Sequence, residues 1–163
     1  MSVTDENDLH HVIIVGGGAG GLELATKLGD SLGKKKKARI TLIDATRTHV
    51  WKPLLHEIAA GSMDPDRHEL EYLAQAHWHH FKFRLGRMDG LNRSTREVFL
   101  APVHDEDGNE IIARRSFKYD TLIIAVGSTT NDFGIKGARE YSIALDTQAQ
   151  AQKFHRYLHN ALL

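Results

Sequence analysis

Three glycines near the start of the chain have the spacing that lets a backbone hold a phosphate. Gly16, Gly18 and Gly21 satisfy the pattern G-x-G-x-x-G. In that pattern the first glycine makes a tight turn, the second lets a diphosphate approach because it has no Cβ, and the third allows a helix to pack closely on a strand. The N–H groups at the start of such a helix, here at Ala19 and Gly20, attract the anion. These residues therefore predict a diphosphate site.

An acidic residue stands at the distance that a nucleotide ribose requires. Asp44 follows Gly21 by 23 residues, with Ala45 beside it, close to the ~20 typical of dinucleotide-binding folds, where a carboxylate accepts the ribose hydroxyls. The same charge would repel a ribose 2′-phosphate and so disfavours NADP. A P-loop is excluded, because Leu22 stands where its lysine would. Glycines and acid together predict a dinucleotide and leave FAD and NAD both open.

A strand, a helix and a second strand are predicted to position these groups. Residues 12–15 and 39–43 are short apolar runs rich in β-branched side chains, typical of strands buried in a parallel sheet. Between them apolar residues recur at helical spacing, and Gly33 stands where a helix end favours a left-handed residue. Residues 12–44 therefore predict one βαβ unit of an α/β fold.

After this unit the alternation of strands and helices stops. Pro53 and Gly61 stand at the start and just past the end of a short predicted helix. A second helix is predicted from a capping Asp66, with Leu70 and Leu73 as its buried face. A doubly wound domain would have continued with a further βαβ unit, so this segment indicates a different plan.

Strands dominate the second half of the chain. A three-stranded antiparallel meander is predicted from residues 81–91, 97–101 and 110–119. Residues 121–126 return to the buried parallel type and end at a glycine. From a capping Asp146 onwards, the pattern is that of an amphipathic helix.

Composition excludes several classes of function. The formal net charge is zero, so the chain lacks the positive field of a dedicated nucleic-acid binder. It has no cysteine, which excludes disulfides, iron–sulfur clusters and redox-active thiols. No apolar run approaches the ~18–20 residues of a membrane span, and the acidic start lacks the basic region of a signal peptide. We therefore expect a cytoplasmic segment.

Histidines do not form a recognisable metal motif. His56 and Glu57 begin the pattern H-E-x-x-H, but Ala60 replaces the second histidine. The histidines at positions 77, 79, 80, 155 and 159 have no carboxylate or cysteine at ligand spacing, so solvated histidines are the simpler interpretation. We expect no metal site.

A βαβ unit followed by helices, a meander and a return strand resembles the FAD domain of glutathione-reductase-like flavoproteins. There the return strand ends in Ala-Thr-Gly beside FAD, whereas here the residues are Ala125, Val126 and Gly127, without the threonine hydroxyl. The resemblance implies that these residues contact FAD and that the backbone of Met88 contacts the adenine. It also implies the fold class: a Rossmann-like, three-layer FAD-binding domain with a parallel sheet and a three-stranded antiparallel meander.

Two segments, at residues 49–61 and 119–133, indicate a more specific family within these flavoproteins. They read HVWKPLLHEIAAG and YDTLIIAVGSTTNDF, which closely resemble bacterial type II NADH dehydrogenase, an NADH:quinone oxidoreductase. The resemblance implies that NADH gives a hydride to FAD and that the reduced flavin passes two electrons to quinone. It places Lys52, Pro53 and Leu54 near the flavin ring, although a helix start with a core leucine equally explains the last two. Because this chemistry belongs to the cofactor, no catalytic residue is assigned.

The resemblance also predicts that the chain is the N-terminal part of a longer enzyme. We expect a flexible N-terminus at residues 1–10, an incomplete FAD-binding domain at 11–145, and a helix at 146–163 leading to an absent NADH-binding domain. Alone, such a part lacks turnover. The full-length protein would lie on the inner face of the cell membrane as a peripheral protein, and apolar surface exposed by truncation would favour a homodimer.

Two other classes of function remain open from the sequence. An NAD-binding dehydrogenase or sensor module would have the same glycines and acid. A non-catalytic Rossmann-like interaction domain would keep the fold with an empty crevice, because a fold alone does not establish a function.

Overall fold

The structure is a computed structural model that describes residues 8–64, 70–105 and 107–162. The strands are β1 (His10–Val15), β2 (Ala38–Asp44), β3 (Thr48–His49), β4 (Leu70–Glu71), β5 (Lys82–Leu85), β6 (Met88–Asn92), β7 (Glu97–Leu100), β8 (Val103–His104), β9 (Glu110–Ile112), β10 (Arg115–Lys118) and β11 (Thr121–Ile124). The helices are α1 (Ala19–Leu28), α2 (Leu55–Ala60), α3 (Tyr72–Trp78), α4 (Ala138–Tyr141) and α5 (Gln148–Ala161). Most of the predicted flexible N-terminus, at residues 1–7, and the predicted cap at Asp66 lie outside the described residues.

The elements belong to two compact units. The first comprises Met1–His49 and Glu71–Val126, and the second comprises Val50–Leu70 and Gly127–Leu163. The first unit contains the predicted βαβ unit and the meander. The second contains α2, α4 and α5.

A four-stranded parallel sheet is the centre of the first unit. Its order is β11-β1-β2-β5, so β1 and β2 are the inner strands. Ile13 and Ile14 are fully buried on neighbouring positions of β1, and because side chains alternate along a strand they face opposite sides of the sheet. The continuous apolar run that predicted β1 is thus explained by layers on both faces.

Helices form one outer layer and a second sheet forms the other. Against one face, a core cluster includes Leu22 and Ala25 of α1 and Tyr72 of α3. Against the other face, Val98 and Leu100 of β7 pack with β1 and β2. The antiparallel sheet that carries β7 has the order β10-β7-β6. The predicted three layers, with their parallel sheet and three-stranded antiparallel sheet, are confirmed.

Two of the predicted strands are each divided in the structure. The predicted strand 81–91 ends at Leu85, where it belongs to the parallel sheet, and restarts at Met88 in the antiparallel sheet. The break lies at Gly86, whose N–H donates to the Asp44 carbonyl at 2.8 Å and where a Cβ would press on the Leu100 side chain. The predicted strand 110–119 is likewise divided into β9, which forms a hairpin with β8, and β10.

The ends and faces of two helices also differ from the prediction. Helix α1 gives way to a π-helical turn at Gly29–Gly33, and Lys36 rather than Gly33 has a positive φ, of 52°. Both glycines instead lie against the backbone carbonyls of His79 and His80, which leave no room for a Cβ. In α3 the buried residues are Tyr72 and Ala76, whereas Leu70 and Leu73 are exposed, so the predicted buried face is wrong.

The second unit is held by contacts between α2 and α5. As predicted, Pro53 lies in the short 3₁₀ turn before α2, and Gly61 ends α2 with a φ of 77°. Ala151 of α5 is fully buried in a cluster with Leu55, Ile58 and Ala59. The cap of α5 is Thr147 rather than the predicted Asp146: Thr147 and Gln150 form a reciprocal capping box.

Candidate functional site

The glycine-rich turn joins β1 to α1 and is fixed by close backbone packing. Gly16 has a φ of 103°, which favours glycine, and a Cβ there would meet the Ala125 backbone. At Gly21 a Cβ would meet the Gly16 carbonyl. The predicted roles of Gly16 in the tight turn and of Gly21 in close helix packing therefore have a steric basis.

The start of α1 is open. Among the described residues other than Gly18 and its two chain neighbours, no atom lies within 4 Å of the position that a Cβ on Gly18 would occupy. Gly18, Ala19 and Gly20 are all exposed. The helix has no side-chain cap and no acidic residue in its first turn. Its first N–H groups and the positive end of its dipole are therefore available to an anion.

Asp44 lies at the end of β2 and is hydrogen-bonded to this turn. Its Oδ2 accepts the N–H of Gly17 at 2.6 Å. Its Oδ1 accepts the N–H and the hydroxyl of Thr46, at 2.8 Å and 2.7 Å. Because a carboxylate has about four acceptor positions, Asp44 keeps about one position for a ligand.

A residue that the sequence did not single out also holds the turn. Tyr72 of α3 is 2% exposed, and its hydroxyl donates to the Gly17 carbonyl at 2.8 Å. Its ring stacks on Phe83 at 5.0 Å between centroids, and it occupies the space that a Cβ on Gly17 would need. Burial, reinforced by the negative charge of Asp44, raises the pKa of the Tyr72 hydroxyl, so this group remains a donor.

His49 lies close to the same residues. Its ring centroid is 6.3 Å from that of Tyr72. Burial lowers the pKa of His49, and the charge of Asp44 opposes that effect. His49 is therefore neutral at pH 7 and adds no positive charge beside Asp44.

A cleft of about 270 Å³ lies along the ends of the parallel strands. Five of the predicted site residues line it: Gly16, Asp44, Ala45, Met88 and Val126. Gly86 and Arg87 also line it. Pockets for whole small ligands run from ~300 to 1,000 Å³, so this cleft suits one end of a dinucleotide rather than all of it.

The other predicted site residues are placed as follows. Ala125 packs beside Gly16 and Gly21 in the first unit. In the second unit, Gly127 has a φ of 74° and Pro53 is exposed, while Leu54 is half-buried. The assignment of these residues to a flavin remains a prediction.

Lys52 is held within the second unit by two partners. Its ammonium donates to the Ser128 carbonyl at 2.6 Å and lies 3.4 Å from Asp146 Oδ1. The Thr130 N–H, with help from Lys52, holds the pKa of Asp146 below its usual value. Lys52 thereby ties the segment before α2 to the segment after β11.

The described residues contain neither a membrane-spanning helix nor a cluster of metal-ligating side chains. Within residues 8–64, 70–105 and 107–162, no helix has both the length and the apolar character needed to cross a membrane. In the same ranges, no group of three or more His, Cys, Asp or Glu side chains is arranged to hold a metal ion.

Residues 10–161 match the pyridine nucleotide-disulphide oxidoreductase family. The chain belongs to this family. Over 150 residues it is 47% identical to the type II NADH:quinone oxidoreductase of Haemophilus influenzae, covering 92% of this chain and 34% of that protein. The predicted resemblance to type II NADH dehydrogenase is confirmed, and the chain spans about a third of the length of the curated relatives that it matches.

Solved structures support the same fold. NDH2 from Plasmodium falciparum, in complex with RYL-552, matches with a TM-score of 0.74 at 22% identity, over 95% of this chain and 30% of that one. The sulfide:quinone oxidoreductase of Aquifex aeolicus matches with a TM-score of 0.72 at 22% identity, over 94% of this chain and 32% of that one. These matches confirm the Rossmann-like fold class.

Sequence reasoning missed three residues of the site: Gly17, Thr46 and Tyr72. Gly17 occupies a position at which the G-x-G-x-x-G pattern allows any residue. Its lack of a side chain was the sequence feature that could have indicated a residue packed against it. Tyr72 lies 55 residues from Gly17 along the chain, so no local pattern could connect them.

Proposed function

We propose that this chain supplies the FAD-binding part of a flavin-dependent NADH:quinone oxidoreductase. The observation that carries the proposal is the hydrogen bond from Gly17 to Asp44, which joins an open, anion-attracting helix start to a carboxylate at the end of the adjacent strand. A diphosphate and the ribose attached to it need these two groups side by side.

The residues of the first unit fit the ADP half of FAD. The open space at Gly18 suits the diphosphate, because no Cβ blocks its approach to the first N–H groups of α1. Asp44 has about one acceptor position left, enough for one ribose hydroxyl. Ala45 and Met88, which line the same cleft, would border the adenosine end.

The remaining site residues would hold the flavin end. When bound, FAD supplies the chemistry by accepting a hydride from NADH and passing two electrons to quinone. In the proposal, which follows the family resemblance, the residues assigned to the flavin are Lys52, Pro53, Leu54, Ala125, Val126 and Gly127. Their work is to bind and orient the ring, and no proton transfer is assigned to them.

Flavin binding tests the proposal directly. FAD added to the purified chain should give a protein-bound visible spectrum after gel filtration, and excess NAD should not displace the flavin. If NAD binds and FAD does not, the chain is an NAD-binding module instead, which the Gly17–Asp44 arrangement would also suit because NAD contains the same ADP group. If neither nucleotide binds, the proposal fails.

Activity is proposed for the whole protein and not for this chain alone. The full-length protein should oxidise NADH and reduce a soluble quinone, whereas this chain loaded with FAD should show no turnover. Robust NADH:quinone turnover by the chain alone would contradict the assignment of NADH and quinone contacts to other parts of the protein.

The setting in the cell is also a proposal. We propose that the full-length protein lies in the cytoplasm, bound peripherally to the inner face of the cell membrane, and that this chain on its own forms a homodimer. Fractionation of cells into soluble and membrane pools tests the first point, and light scattering after gel filtration tests the second. A full-length protein found wholly in the soluble pool would contradict the first point, and a monomeric chain would contradict the second.

A further inference from the structure

The glycine turn has one residue, Gly17, whose two flanking peptide groups are each held by a side chain. The N–H of Gly17 donates to Asp44 Oδ2 at 2.6 Å, and the carbonyl of Gly17 accepts the Tyr72 hydroxyl at 2.8 Å. Gly17 is buried, and the hydrogen bond from Tyr72 is buried with it, whereas the one to Asp44 is part-buried. Together the two hydrogen bonds restrict the backbone of Gly17.

The second hydrogen bond fixes a neighbouring donor. The carbonyl of Gly17 and the N–H of Gly18 belong to the same planar peptide group and, in a trans peptide, point in opposite directions. Because the carbonyl is directed at Tyr72, the Gly18 N–H is directed away from Tyr72. Gly18 itself is exposed, with open space at its Cβ position, so this N–H lies where an anion can reach it.

The residue type at position 17 supports a dedicated contact. Any Cβ at Gly17 would overlap the ring and hydroxyl of Tyr72. The glycine thus leaves the space in which the tyrosine hydroxyl reaches the carbonyl. Tyr72 is in turn held by Phe83 and is fully surrounded, so the hydroxyl has little freedom to move.

We propose that Tyr72 is a positioning residue that aims the Gly18 N–H at the diphosphate of the bound nucleotide. The inference rests on the proposed nucleotide site and deepens it. Tyr72 touches no part of the ligand in this role. Its effect should therefore appear only with ligands that carry a diphosphate, and not with the nucleoside alone.

The test compares three ligands on two variants. Tyr72→Phe removes the hydroxyl and keeps the ring, and Tyr157→Phe removes the same group from an exposed tyrosine of α5 as a control. Binding of FAD, ADP and adenosine is measured by calorimetry, with NMR titration for weak adenosine binding. We expect Tyr72→Phe to bind FAD and ADP about fivefold more weakly, the typical effect of one lost hydrogen bond, with adenosine binding unchanged.

The outcomes separate this inference from the proposed function. If the unaltered chain binds neither FAD nor ADP, the proposed function fails and the inference fails with it. If the unaltered chain binds both, but Tyr72→Phe weakens adenosine as much as ADP, the hydroxyl supports only the fold and the inference is overturned. Unchanged binding of all three ligands by Tyr72→Phe overturns it as well.

Discussion

Replacing Asp44 with asparagine tests whether one carboxylate serves both the turn and the ligand. The two oxygens of Asp44 face donors on both sides, with Gly17 on one and Thr46 on the other. Asparagine has the same shape but only one oxygen, so its NH₂ group must face a backbone N–H on one of those sides. The variant therefore leaves one backbone donor without an acceptor and removes the negative charge at the proposed ribose position.

The expected loss can be worked from these contacts. A hydrogen bond to a charged group contributes about 1.5–3 kcal/mol, and because Asp44 is only half-buried we expect the lower end, about 1.5 kcal/mol of unfolding free energy. A loss of similar size at the ribose weakens FAD binding about tenfold. Urea denaturation of the nucleotide-free chain measures the first effect, and quenching of flavin fluorescence measures the second.

A matched variant controls for the loss of one negative charge. Asp107 lies in an exposed turn between β8 and β9, far from the glycine turn in sequence, and Asp107→Asn should leave both quantities unchanged within ~0.5 kcal/mol. If Asp44→Asn matches this control in stability, the hydrogen bonds to Gly17 and Thr46 do not hold the turn. If it matches the control in FAD affinity, Asp44 does not bind the ribose.

Three further predictions follow from other contacts. Gly16→Ala should destabilise the chain by at least ~1–2 kcal/mol in urea denaturation, because of its positive φ and the blocked Cβ position. Gly18→Ala, in open space, should cost less stability, because it loses only the preference for glycine at the N-cap of α1, and it should weaken FAD binding. Equal destabilisation by the two variants would contradict this. Burial holds the pKa of His11 below its usual value of 6.5, so the folded state binds the proton less readily than the unfolded state. The free energy of unfolding should therefore fall as the pH drops below about 6.5. An equally steep fall in His11→Asn would show that His11 is not the group responsible. A double-mutant cycle of Lys52→Met and Asp146→Asn should show a coupling energy below ~1 kcal/mol, because the lysine side chain is half exposed. A larger coupling energy would mean that this ion pair is stronger than its exposure indicates.

The parts of the fold that follow local rules were predictable from sequence. Strand β1, the glycine turn and β2 lie within one continuous stretch, and each has its own signal: a β-branched run, fixed glycine spacing and a terminal acid. Pro53 and Gly61 likewise mark α2 correctly, because helix ends have residue preferences that do not depend on the rest of the fold.

The parts that depend on distant packing were not predictable in this way. The break at Gly86 arises because β5 ends against β2 while β6 must leave for the other sheet, and within 81–91 nothing but one glycine marks it. The buried face of α3 is set by which side meets the parallel sheet, and that side carries Tyr72 rather than the more apolar Leu73. A prediction from hydrophobicity alone therefore selects the wrong face of α3.

In the proposed site, nucleotide binding and folding are linked because the lining residues lie at the ends of the four strands of the parallel sheet. Gly16 follows β1, Asp44 ends β2, Met88 follows β5 and Val126 follows β11, and all four line one cleft. A ligand that binds only the folded chain raises its stability by RT ln(1 + [L]/Kd), about 2.7 kcal/mol at a hundredfold excess over Kd. A substitution that only loosens the turn lowers stability equally with and without nucleotide, whereas one that removes a ligand contact lowers mainly the nucleotide-dependent increment. Measuring unfolding in both conditions therefore distinguishes residues that hold the strand ends from residues that hold the ligand.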